Sequence, residues 1–125
     1  MNLKFTKRPR PSDIYFRILQ LIETVRGMPE LPHLDPLESR ILEMIAYSCQ
    51  KKDHLAVKDI TDKRELGSPS MLYRHLVSMR VKGWIGLEDT EDARRKQLVL
   101  TKAALTHFDK LSRLMVQAIK KLGLV

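Results

Sequence analysis

Leu66-Gly67-Ser68-Pro69-Ser70 is the stretch that most limits how this chain folds. Glycine tolerates the positive φ that a tight turn between helices requires. Ser68 is a good N-cap, and Pro69 falls at the first helical position, where a missing N–H costs nothing. Upstream, Val57, Ile60 and Leu66 place a short helix over 57–65 with these side chains inward. Downstream, the spacing predicts a helix over 69–82, stopped by Gly83. Two short helices joined by a glycine turn are the signature of a helix-turn-helix.

The segments on either side complete a larger pattern. Residues 84–88 and 95–100 read as two short strands around the polar loop 89–94. Asp35 as N-cap, Pro36 at the first helical position and Glu38 three residues on mark the start of a helix that runs to about Cys49. Lys51-Lys52-Asp53-His54 then reads as a polar turn. An earlier helix is expected over 13–26, capped by Ser12 or Asp13 and ended by Gly27 and Pro29, with a proline-punctuated linker at 28–35. Phe16 projects from the polar side of that helix, which implies cover from outside the domain's own core. A last helix spans 101–122, with a heptad-like seam of Ala104, Phe108, Leu111, Met115, Ala118 and Leu122. The fold class is therefore mainly α with a small β-hairpin wing: a winged helix-turn-helix core over 34–100, flanked by N- and C-terminal helices at 13–26 and 101–122. Together they form a single domain over 13–125, after a basic flexible arm at 1–12.

The second helix of such a motif fits the major groove of DNA, which is about 12 Å wide. On the helix 69–82, Leu72, Leu76 and Met79 fall on one face and are the expected core. The opposite face offers Ser70, Tyr73, Arg74, Val77 and Ser78, with hydroxyls and a guanidinium for base edges and phosphates, and Val77 for a thymine methyl. Tyr73, Arg74 and Ser78 are the major-groove candidates, and Ser70 is a phosphate contact near the helix N-terminus. His75 flanks the buried face and is either a packed, hydrogen-bonded histidine or a phosphate contact. In the wing, Arg94, Arg95 and Lys96 can enter a minor groove or lie along phosphates, with a solvated charged loop as the other reading. Asp92, two residues before Arg94, is placed to hold that guanidinium in one pose.

Charge agrees with a polyanionic partner. The formal net charge is +8 from 23 basic and 15 acidic side chains, and small basic domains usually meet nucleic acid or an acidic membrane. The excess sits at both ends and in 51–100, whereas 13–50 is slightly acidic. Lys4, Lys7, Arg8 and Arg10 in the arm suit either a phosphate backbone or a solubilising tail. The basic residues do not line one amphipathic helix and no segment reads as membrane-spanning or as a signal peptide, so no membrane is expected and the location is cytoplasmic. The single cysteine, Cys49, reads as a small core residue in a reducing compartment, with a redox-sensing thiol as the other reading.

The wing Asp89-Thr90-Glu91-Asp92-Ala93-Arg94-Arg95-Lys96-Gln97-Leu98-Val99-Leu100-Thr101 resembles that of the MarR family of bacterial transcription regulators. In that family an Asp-x-x-Asp-x-Arg wing runs through a short strand into Leu-Thr and a long helix. Leu66-Gly67-Ser68-Pro69-Ser70 and Lys82-Gly83-Trp84-Ile85 are similar to the family's turn before the recognition helix and its entry to the wing. Ala104 stands where the family usually has glycine. The resemblance covers residues 34–105 and implies a homodimer on a pseudo-palindromic site, recognition helices in successive major grooves, and wing arginines in flanking minor grooves. Asp92 would then orient Arg94.

The expectation is thus a sequence-selective regulator that binds double-stranded DNA as a homodimer. A winged-helix protein-interaction module and a replication accessory are the alternatives. No metal site is expected, because His33, His54, His75 and His107 are scattered without ligand spacing. No cofactor and no enzymatic activity are expected, since no phosphate-binding loop or nucleophile elbow is present. Nothing in the residues identifies a small-molecule effector.

Overall fold

The computed structural model describes residues 10–26, 32–91 and 95–121. The element order is α1 (Pro11–Arg26), α2 (Pro36–Gln50), α3 (Val57–Thr61), α4 (Pro69–Val81), β1 (Ile85–Asp89), β2 (Lys96–Leu100) and α5 (Lys102–Lys121). The expected succession of four helices, a hairpin and a helix is present. Residues 1–9 of the arm, the 27–31 stretch with Gly27 and Pro29, the wing residues Asp92 and Arg94, and Leu122 lie outside the described residues. Two compact units divide the chain: Leu31–Thr106, and a second containing α1 and α5 from His107 onward.

In the first unit the starts of the helices follow the local chemistry. Asp35 caps α2 by accepting the Glu38 N–H at 2.8 Å, with Pro36 at the first helical position. Ser68 caps α4 by accepting the Met71 N–H at 3.3 Å, again with proline next. Gly67 adopts a φ of 150°, and a Cβ there would collide with Met71 Cε. Gly83, at φ 89°, turns the chain out of α4 into the hairpin. β1 and β2 pair antiparallel with Leu87 opposite Leu98.

The first turn of α5 is tied back to the end of α4. The Thr101 hydroxyl donates to Gly83 O at 2.6 Å and accepts the Ala104 N–H at 3.1 Å. The core comprises Ile41 and Ile45 of α2, Ile60 of α3, Leu72, Leu76 and Met79 of α4, Trp84, and Ile85 and Leu98 of the hairpin. The expected inward trio of α4 is therefore buried.

Several boundaries differ from expectation by one or more residues, among them the end of α3 and the starts of α1, β1 and β2. α3 stops at Thr61 instead of Glu65, because beyond it Lys63 N–H bonds to Ile60 O and Leu66 N–H to Lys63 O, both tightened three-residue turns. Only Ile60 on α3 is fully buried, and Asp62-Lys63-Arg64-Glu65 offers no apolar side chain to extend the packed face. α1 starts at Pro11, ahead of the expected caps Ser12 and Asp13. Asp13 instead reaches back, accepting the Arg10 N–H at 2.9 Å, so residues 11 and 12 are helical. β1 begins at Ile85 and not at Trp84, whose backbone N–H closes back onto Met79 O of α4 at 3.0 Å.

In the second unit, the apolar arc of α1 is only half-buried at Ile14, Ile18, Leu21 and Ile22. Tyr15, Phe16 and Leu19 are exposed, as is Val116 on α5. None of the described helices is long and apolar enough to cross a membrane.

Candidate nucleic-acid interface

α4 presents a sharply divided surface. Leu72, Leu76 and Met79 hold its inner side, while Ser70, Tyr73, Arg74 and Val77 are exposed. Ser78 lies at the flank and is half-buried, so it offers less of its hydroxyl than its wheel position implies.

His75 resolves in favour of the packed reading. Its Nδ1 lies 3.1 Å from Glu38 Oε2 and 3.6 Å from Asp35 Oδ2. A carboxylate only accepts, so Nδ1 carries the proton. Lys82, at the C-terminal end of α4, donates to the other Glu38 oxygen at 2.8 Å and to His33 O at 3.2 Å. Glu38 is 2% exposed, so α2 grips α4 at two points through one buried carboxylate. Burial alone would push this carboxyl up. Hydrogen bonds and charge from Lys82 and His75 reverse that and hold it below the ordinary range.

The sequence marks Glu38 as a helix-start residue and leaves this second role out of sight. A signal exists even so: Glu38 sits on the same stripe of α2 as buried Ile41, Leu42 and Ile45. Asp35, Glu38 and His75 bring three potential ligand atoms within 4.8 Å of one another. The Lys82 ammonium already supplies a positive charge at this cluster.

The wing is fastened at its base. Leu98 N–H donates to Leu55 O at 2.6 Å, and Ala56 bridges Gln97. Asp59 accepts the Ala56 N–H at 2.7 Å and also pairs with the Arg95 guanidinium at 2.9 Å. Arg95 remains 57% exposed, so this pair tethers it without enclosing it. Lys96 stands 3.5 Å from Asp89, with both side chains exposed, a pair worth about 0–1 kcal/mol. Asp59 is not anticipated as a wing partner, since nothing local links it to Arg95.

Cys49 is half-buried against the hairpin, with Sγ 3.8 Å from Leu98 O. Burial pushes its thiol up, the opposite of what a reactive thiolate needs.

A helix-turn-helix whose second helix is anchored inward and bare outward, followed by a two-stranded wing, defines a winged-helix fold. The same fold occurs in solved structures of low sequence identity to this chain. Staphylococcus aureus MepR in complex with DNA matches with 16% identity and a TM-score of 0.59, over 89% of this chain and 76% of that one. YusO from Bacillus subtilis matches at 18% identity and 0.51, over 91% and 74%. A mutant of Lactococcus lactis ZitR matches at 16% and 0.53, over 88% and 75%. No protein-family model and no curated protein sequence matches the chain.

Proposed function

We propose that this chain is a MarR-type transcriptional regulator that binds double-stranded DNA sequence-selectively, as a cytoplasmic homodimer without catalytic activity. The observation that carries the reading is the outward face of α4, where Ser70, Tyr73 and Arg74 stand exposed on a helix locked from behind. Hydroxyls and a guanidinium on a groove-sized helix suit base edges and phosphates. The net charge of +8 supplies the attraction. MepR, of like fold, is solved bound to DNA.

In this reading Tyr73, Arg74 and Ser78 enter the major groove and Ser70 takes a phosphate. Arg94, oriented by Asp92, probes the minor groove. Lys96 lies along the phosphates with Arg95, which has donors to spare beyond the one on Asp59. Homodimerisation is supported by the exposed Tyr15, Phe16 and Leu19 of α1 and Val116 of α5.

The test is selection of sheared genomic DNA on the purified protein near physiological salt, with sequencing of the bound fraction. A few enriched intergenic sites with inverted repeats are expected. Uniform recovery, or none, rejects the reading.

A further inference from the structure

The residues pointing most directly away from the α4 core are Ser70, Arg74, Val77 and Val81, which recur at 4-3-4 spacing along one stripe. Its second half is aliphatic. Val77 is 44% exposed and Val81 is 82% exposed, and neither packs into the unit's core. Lone exposed aliphatic residues need no explanation, but two on successive turns of the outward face, from its middle to its C-terminal end, form a local apolar surface. Valine is also among the poorer helix formers, because its branched Cβ loses freedom against the preceding turn. These valines therefore gain nothing for the helix itself and are suited to an apolar partner.

Resting on the regulator reading, we propose that Val77, extended by Val81, determines specificity by reading thymine methyl groups in the major groove. The C5-methyl of thymine is the apolar group that the major groove displays, whereas the other base edges present donors and acceptors. Charge singles out DNA as the occupant, because Arg74 and Arg80 accompany the valines on the exposed side of α4, and no acidic residue lies on the helix. Three residues separate Arg74 from Val77, a rise of about 4.5 Å along the helix. Base pairs are spaced about 3.4 Å apart. A guanine taken by Arg74 would then have a thymine about one or two steps away, facing Val77.

The experiment uses the best duplex enriched by the full chain from a random-sequence pool, and the same duplex with single thymines replaced by deoxyuridine. That replacement removes the methyl and leaves pairing intact. Wild-type protein should lose about fourfold in affinity at the thymine facing Val77. Val77→Ser, at an exposed position, should bind both duplexes alike, and Val77→Ile should keep the discrimination. Equal binding of both duplexes by the wild type overturns the inference and leaves the regulator reading standing. An undiminished loss in Val77→Ser also overturns it. Failure to enrich any duplex overturns both.

Discussion

The unit built on the winged helix and the unit that contains α1 and most of α5 differ in how far their own side chains complete them. Among the described residues, all buried side chains lie between Leu34 and Ala104, and α1 and α5 from His107 onward have none. Both sets of helices are amphipathic, so the difference is one of partners. In the winged helix, α2, α3, α4 and the hairpin close around Ile41, Ile45, Ile60, Leu72 and Leu98. On α1, by contrast, Tyr15, Phe16 and Leu19 remain in solvent. Amphipathicity in a sequence announces a face to be covered, and only the fold reveals whether the chain covers it alone.

The largest effects should therefore fall inside the winged helix. Ile45→Ala should lower stability by about 2–5 kcal/mol through loss of contacts and the cavity left behind. Phe16→Ser should change it by less than about 0.5 kcal/mol while weakening self-association. Urea unfolding and sedimentation measure the two. Comparable losses of stability would erase the contrast.

Glu38→Ala should cost about 3 kcal/mol, because it strips His75 and Lys82 of a buried partner. The accompanying pH dependence has a definite sign. The Glu38 carboxyl is held below its ordinary 4.5. Its contribution is therefore complete above that value and is lost as pH falls through the lower folded one. His107 is depressed below 6.5 by burial itself, so its contribution is complete above 6.5 and is lost as pH falls through its folded value. Acid should destabilise both units, and amide exchange followed over pH would report each loss.

Smaller effects test the two sides of α4 and the wing. Arg74→Ala should cost about 1–3 kcal/mol on the best site and relax preference at one base pair. Equal loss on every sequence would demote it to a backbone contact. Lys96→Ala should weaken binding uniformly and lower the salt slope by about one unit. A small gain is expected at Lys52, where α2 ends in a left-handed residue at φ 58°. There Lys52 N–H bonds to Cys49 O at 3.1 Å and Asp53 N–H to Ser48 O at 3.0 Å, a Schellman closure that usually employs glycine. Lys52→Gly should stabilise the chain by about 0.5–1 kcal/mol, read as a shift in the urea midpoint.

What the sequence reveals is what neighbours in sequence decide. Asp35-Pro36, Ser68-Pro69 and Gly83 mark helix ends through bonds spanning three or four residues, and each sits where its chemistry puts it. The outward face of α4 is legible for the same reason, since helical periodicity alone separates Arg74 from Leu72. Glu38 and Asp59 are not legible in these roles. Their partners His75, Lys82 and Arg95 lie 36 to 44 residues away and meet them only once the helices and hairpin pack. The end of α3 escapes the sequence because its polar tail looks helical until the turn into Gly67 tightens it.

The central claim is that α4, braced from behind by Glu38, reads a specific duplex. Its most direct test is the ratio of dissociation constants for the best selected duplex and a scrambled duplex of equal composition, measured in the same near-physiological salt. The account predicts a preference of at least about 10³-fold for the selected duplex. Equal affinity for the two would contradict it.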